Sequence, residues 1–299
     1  MLDSLNLLII APVVNVQLIL EGIFIGAIFA LSAYGLALVW GVMNIKNLAQ
    51  GDLVIMGGYL AFAMDKSGIP LTIIFPVVMV IMFGFGWLIY KVMIRRILDQ
   101  DMFVSLLATF GLSLLLQQVI NRFFGPEVQT VDMQLEVYEF FDGMVTVPLS
   151  KLTALGLAAL IAFSVVLFMK KSRTGQAIRA TAQDPRAARV LGINIDRVYA
   201  LTFSLNSALC GAAGVLVAII FVIQPFYGIT YSMGSFAIVT AAGLGNLPGV
   251  IISAFGIGLF AKYCGFVESA YEYAAPVLVL LAVLMWRQLS MRKNREVVR

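Results

Sequence analysis

The sequence has no histidine, only two cysteines in 299 residues, and charged side chains at only 12% of positions. Without histidine there is no Ser-His-Asp triad, no imidazole proton shuttle and no His-ligated metal centre. Cys210 and Cys264 lie far apart in apolar runs. They supply neither a CxxC pair nor a disulfide framework, and they read as small buried hydrophobes. No GxxxxGK[ST] loop occurs, so the chain has no Walker-type cradle for nucleotide phosphates, and ATP-driven work would come from a partner. A soluble domain carries roughly 25% charged residues; a chain with half that share is not a water-soluble globule.

What fills the space is apolar. Hydrophobic residues make up 61% of the chain, with 26 Gly, 14 Met and a mean hydropathy of +0.98. Uncharged runs of about 20 residues are what a helix needs to span hydrocarbon. The fold class is therefore an all-α polytopic membrane protein. Apolar runs bounded by charge, Gly or Pro predict nine elements near 17–41, 51–64, 71–91, 103–121, 148–169, 199–223, 230–246, 249–266 and 271–286. The runs at 51–64 and 230–246 are short and rich in Gly and Ser, so they fit a partial or tilted helix as well as a full crossing. The first basic residue is Lys46. The N-terminal run therefore lacks the basic region of a cleaved signal peptide and is expected to stay in the mature chain.

Charge sets the orientation. The net charge of +4 comes from basic residues flanking apolar spans, a pattern of membrane insertion rather than of nucleic-acid binding. Loop 170–198 holds Lys170, Lys171, Arg173, Arg179, Arg186, Arg189 and Arg197 against Asp184 and Asp196, and the tail 287–299 holds five cations against Glu296. Both are expected in the cytoplasm. The stretch 122–147 has Arg122 against Glu127, Asp132, Glu136, Glu139 and Asp142, which places it outside. For loop and tail to share a side, 230–246 must count as a crossing, and the N-terminus then lies outside. The chain reads as one transmembrane domain over 1–299, with a first half about 17–121, a linking span about 148–169, the cytoplasmic loop 170–198 and a second half about 199–286. The two halves run in opposite directions. Each opens with a long small-residue helix, an interruption (41–51; 224–228) and a short Gly-containing helix. Inverted halves with matched broken segments point to a transport pathway between them, while close packing of small residues also accounts for the Gly and Ala content.

Within the basic loop, Asp184 is a good N-cap, Pro185 suits the first helical position, 186–191 can form two turns, and Gly192 is a natural stop. A short capped helix with Ala188, Val190 and Leu191 on one face suits a groove in another protein, and a solvated basic loop would show the same charges. Polar groups on otherwise apolar spans are candidates for the pathway: Asn44, Asn47, Gln50 and Asp52 at the first break, Gln117, and Ser204 with Asn206. Intramembrane polar residues mark pathways, and Asn, Ser and Gln also serve helix-to-helix hydrogen bonding. Glu21, Lys262, Glu268 and Glu272 are expected at the outer interface, and Phe221, Phe226, Tyr227 and Tyr231 in an aromatic belt.

The run Gly175, Arg179, Ala180, Asp184, Ala188, Gly192, Ile193 resembles the cytoplasmic coupling motif of branched-chain amino-acid ABC permeases, of which urea permeases are relatives. Further likeness lies in Gly22, Gly26, Ala30, Leu31 and Gly35, in Asn47-Leu48-Ala49-Gln50-Gly51-Asp52, in 110–117, in Phe124-Gly125-Pro126 and in 243–249. The chain departs from the family pattern at Gln50, where His is common, at Leu48, where Phe is common, and at Ala242, where relatives have Gly. The resemblance implies an importer subunit, not an enzyme, with no catalytic residue, metal or cofactor of its own. It implies coupling to two cytoplasmic ATPase subunits, which bind ATP and Mg, through Arg179, Ala180, Asp184, Pro185, Ala188, Gly192 and Ile193. It also implies a second, related permease as heterodimer partner, an extracytoplasmic substrate-binding protein, and a place in a bacterial inner membrane. Branched-chain or other hydrophobic amino acids are the implied cargo, with urea or short amides as the alternative. An ion-coupled secondary transporter would need midplane acids, and Asp52 is its single candidate.

Overall fold

A computed structural model describes residues 11–98, 100–131, 136–140, 145–243 and 245–297. Asp132 and Asp142 of the acidic stretch, Leu244 of the Gly-rich element and the side chains of the basic tail lie outside the described residues. Eleven helices are present among the described residues: α1 (Pro12–Met43), α2 (Gln50–Asp65), α3 (Leu71–Ile97), α4 (Met102–Phe124), α5 (Leu149–Lys171), α6 (Arg173–Gln183), α7 (Pro185–Val190), α8 (Ile195–Ile220), α9 (Gly228–Ala242), α10 (Leu247–Val267) and α11 (Ser269–Val297). Six of them are long and apolar enough to cross a membrane. α2 and α9, at 16 and 15 residues, rise only about 24 Å and 22 Å at 1.5 Å per residue, short of a hydrocarbon layer of about 30 Å.

Burial separates the helices into a centre and a shell. In α1 and α8, 94% of the most apolar window is buried inside the protein, against 33% in α3, 28% in α4 and α10 and 17% in α5. A helix that is apolar all round belongs in an interior or a membrane. α1 and α8 satisfy this against protein, and the shell helices satisfy it against lipid, which explains exposed Val80, Leu107, Phe163 and Ile252. The packing is paired across the halves: α1 packs on α10 as α8 packs on α3, α1 on α9 as α8 on α2, and α11 on α9 as α4 on α2. This is the inverted repeat in contact form.

Several expectations are corrected. α1 starts at Pro12, with proline at its first positions where the missing N–H costs nothing. α8 ends at Ile220 and α9 at Ala242, earlier than hydropathy placed them, because apolar residues continue into the turns. The outer stretch is not wholly irregular. β1 (Val137–Phe140) and β2 (Val145–Pro148) pair antiparallel with Val137 opposite Pro148, and Val145 and Val147 are buried. The basic loop carries α6 before the short helix, so it is a helical hairpin-like unit rather than a loop with one helix. Its Ser172 caps α6 by accepting from the Gly175 N–H at 2.9 Å. Finally, α3 contains a π turn at Tyr90–Ile94.

Candidate functional site

The two broken segments meet in the interior. After α1 the chain turns at Asn44 in a left-handed conformation (φ 55°) and re-enters through 45–49 before α2 starts. After α8 it re-enters through 221–227 before α9 starts. The Gly51 N–H, one of the unpaired donors at the start of α2, donates to Ser232 Oγ at 2.8 Å, and that hydroxyl donates to Leu48 O at 2.9 Å. The helices therefore begin at one place and leave toward opposite faces. Backbone re-entering at membrane depth is stable only when protein satisfies its polar groups, and side chains of α4 and α9 do this here.

Five of the sequence candidates lie at this crossing. Gln50 and Asn206 bond reciprocally: Gln50 Nε2 donates to Asn206 Oδ1 at 2.9 Å, and Asn206 Nδ2 donates to Gln50 Oε1 at 3.1 Å. Gln50 Nε2 also reaches Ser32 O at 2.8 Å, and Asn47 Nδ2 donates to Gln50 Oε1 at 3.3 Å. Ser32 and Ser235 hydroxyls, from α1 and α9, bond at 2.8 Å. All five of these side chains are fully buried. Asp52, also buried, accepts from Gln117 Nε2 at 3.0 Å and abuts Gly228, the first residue of α9. Its carboxylate thus sits at the N-termini of two helices, whose partial positive charge favours an anion. Two candidates lie elsewhere. Ser204 bonds within α8 to Ala200 O, and Asn44 is exposed at the far end of α1.

Gln117, the one α4 residue among the sequence candidates, belongs to a longer polar series: Ser105, Thr109, Ser113, Gln117 and Asn121 recur every fourth residue. Thr109 Oγ1 accepts from the Leu48 N–H and donates to Lys46 O, so this stripe holds the first re-entrant segment in place. A four-residue polar period in an apolar helix was the available signal. Ser32, Ser232 and Ser235 carried no comparable spacing.

Cavities flank the crossing. One, of about 230 Å³, lies between α1, α9, α10 and α11 and includes Phe29, Phe221, Tyr227 and Tyr231; these aromatics line a pocket as well as an interface. Another, of about 470 Å³, opens at the opposite end of α1 and is bounded by Trp40, Asn44 and Arg179. The acidic stretch lies at the N-terminal end of α1, since the Thr146 N–H reaches Gln17 and Gln129 pairs with Ile223. The basic unit α6–α7 lies at its C-terminal end. The two ends of the molecule carry opposite charge.

α7 protrudes at the basic end. Asp184 Oδ1 accepts from the Arg186 and Ala187 N–H groups at 2.8 and 3.1 Å. At the other end Gly192 (φ 82°) donates to Arg189 O, and the Ile193 N–H to Ala188 O, which is the Schellman arrangement that glycine favours. Ala188 is buried and Ile193 half-buried against the body, Arg179 and Pro185 are exposed, and Ala180 is half-buried. Val190 and Leu191 are 88% and 78% exposed. Just beyond, Asp196 at the start of α8 accepts from Tyr90 Oη at 2.8 Å and pairs with Arg95 at 3.1 Å. The π turn of α3 is thereby tied to the start of α8, just beyond α7.

Inverted halves, two half-helices meeting in the interior and a capped helix projecting from the basic end define a polytopic transport permease. A profile of the family described as "Branched-chain amino acid transport system / permease component" matches residues 18–285, and the chain belongs to that family. It is 28% identical over 286 residues to the high-affinity branched-chain amino acid transport system permease protein LivH of Salmonella typhimurium, covering 90% of this chain and 92% of that protein. It is 26% identical over 296 residues to BraD of Pseudomonas aeruginosa, covering 94% and 96%. A solved structure, PsaBC from Streptococcus pneumoniae in complex with Fab, shares the fold with a TM-score of 0.51 at 11% identity, over 95% of this chain and 94% of that one.

Proposed function

We propose that this chain is the membrane-embedded permease subunit of an ATP-driven importer for branched-chain or other hydrophobic amino acids, working by alternating access. The observation that carries this reading is α7, capped at both ends, with two large apolar side chains facing solvent beside Arg186 and Arg189. Exposed Val and Leu at the tip of a basic unit are costly without a partner. An amphipathic helix in a groove is a standard recognition mode. A cytoplasmic ATPase subunit is the partner proposed, with ATP and Mg bound there, and the buried Gln50–Asn206 crossing is the seal between the outer and inner cavities. The reading extends to a second, related permease alongside this chain, an extracytoplasmic binding protein at the acidic end, and insertion in the inner membrane with N-terminus outside and C-terminus in the cytoplasm.

The test is Val190→Asp combined with Leu191→Asp. Because both side chains are exposed, the variant should insert and unfold like the wild type. It should lose co-purification with the ATPase subunits, and with it ATP-dependent amino-acid uptake. Full association and uptake would refute the docking role.

A further inference from the structure

Two cavities lie end to end on one flank of α1. The first, of about 240 Å³, is walled by Leu31 and Tyr34 of α1, Ala162 and Val166 of α5, and Ile251 and Phe255 of α10. The second is the 470 Å³ cavity at the basic end, walled by Leu38 and Asn44 of α1, Met169 of α5, Leu247 of α10, and Arg179 with Gln183 of α6. In each of the three long helices the wall passes from one cavity to the next within about a turn: Tyr34 to Ala37, Val166 to Met169, Ile251 to Leu247. α5 packs on α8 and α1, and α10 packs on α1, α9 and α11. The two cavities therefore belong to one crevice, with α1 as its floor and α5 and α10 as its sides.

Polarity is sorted along its length. The deep part is walled by apolar side chains and Tyr34, whereas Asn44, Arg179 and Gln183 form a polar rim at the basic end, and no carboxylate belongs to either wall. Arg179 makes no ion pair among the described residues, and its Nη2 reaches the Lys170 carbonyl oxygen at 3.5 Å. Lys46 Nζ stands 5.3 Å from the centre of the Trp40 ring, itself part of the wall. Two cations thus stand at the rim, and nothing in the wall neutralises them. From Asn44 to Tyr34, α1 rises about 15 Å, half of a hydrocarbon layer of about 30 Å and so the depth of one leaflet.

We propose that this crevice is the site of an anionic phospholipid from the leaflet at the basic end, with its phosphate on Arg179 and one acyl chain lying along α1 between α5 and α10. A guanidinium holds a phosphate through two parallel hydrogen bonds, and basic pockets between membrane helices suit phospholipid headgroups. A free anion matches the rim but not the apolar length of the crevice. A zwitterionic lipid matches the length but brings an ammonium group next to two cations, with no carboxylate in the wall to receive it. The lipid closes the flank of the inner cavity between α5 and α10 and leaves its mouth at the basic end open. Through Arg179 it also ties α6, and the docking helix that follows, to the membrane surface.

The experiment uses the full chain in phosphatidylcholine vesicles, with Trp87→Phe and Trp286→Phe so that Trp40 is the one remaining tryptophan. Lipids brominated in their acyl chains quench tryptophan on contact. Brominated phosphatidylglycerol should reach half of its quenching at a mole fraction about tenfold lower than brominated phosphatidylcholine, the scale of one charge-assisted hydrogen bond. Arg179→Gln should bring the two lipids to equal effect. Ala162→Phe, in the deep part of the wall, should weaken quenching by both. Gly156→Phe on the same helix, at a position with no neighbour within 4 Å, should change neither the quenching nor the preference, and inorganic phosphate should not compete. Equal quenching by the two lipids with Arg179 in place, a preference that survives Arg179→Gln, or full quenching in Ala162→Phe overturns the proposal, as does an equal loss in Gly156→Phe. Relief of quenching by inorganic phosphate assigns the rim to free anions, and absence of quenching by either lipid assigns the crevice to protein; each overturns it too. No ATPase is present, so every outcome is independent of the importer reading.

Discussion

The approach of α2 to α8 depends on two facing glycines, and Gly57→Ala measures how much. A Cβ at Gly57 would lie 2.6 Å from Gly211 Cα and 2.8 Å from its carbonyl oxygen, where ordinary contact starts at 3.4 Å. The helices must part by about 0.8 Å, the shortfall from ordinary contact. α8 cannot retreat, because Gly211 is itself packed on Met82 of α3, so α2 moves and takes Gln50 with it. Such a shift would stretch the 2.9 Å Gln50–Asn206 bond beyond hydrogen-bonding range. Overpacking of this kind costs about 1–3 kcal/mol, against a helix-propensity gain of about 1 kcal/mol for alanine over glycine. Gly84→Ala in α3, where nothing lies within 4 Å, has the gain without the clash. The two variants should differ by about 2 kcal/mol in unfolding of the detergent-solubilised protein, with Gly57→Ala the less stable and the weaker in uptake. Equal unfolding midpoints would show that the α2–α8 contact is looser than described and would refute the reasoning.

Gln50→Leu strands the Asn206 amide and should destabilise the protein by about 1–2 kcal/mol, within the range for interhelical hydrogen bonds in membranes; an unchanged unfolding midpoint would show that water or another side chain replaces the amide. Asp52→Asn keeps an acceptor for Gln117 but removes the negative charge at the two helix N-termini. Uptake should fall without acquiring pH dependence, and a shifted pH optimum would favour an ion-coupled transporter instead. Gly192→Arg meets no neighbour, so its cost is confined to the positive φ, about 1–2 kcal/mol. It should weaken ATPase association while membrane insertion stays normal; full uptake and association would refute that assignment.

The order of spans, the opposed halves and the caps of α7 were legible because each rests on a local rule. Hydropathy marks spans, cations mark a side, and Asp-Pro followed by Gly at the eighth position after Asp184 marks a short capped helix. The meeting of α2 with α9 was not legible. It depends on Ser232, a common residue of membrane helices whose partners Leu48 and Gly51 are distant in sequence. The α4 stripe is visible as a four-residue polar period, of which Gln117 is one member. The hairpin at β1–β2 was hidden by an acidic composition that says loop, although the Val145 and Val147 alternation is a strand pattern. Lys262 was placed at the interface, but its two partners come from α1 and α11, and no spacing within α10 announces them.

α8 begins three residues after Gly192, and Asn206 lies about 17 Å further along it at helical rise. One uninterrupted helix therefore connects the turn that follows α7 to the crossing of the half-helices, with Tyr90 and Arg95 bound to Asp196 at its start. A displacement of the start of α8 along that axis reaches the centre with no break inside the helix to absorb it. Under the proposed docking of an ATPase on α7, a push received there would be passed to the crossing by this one helix.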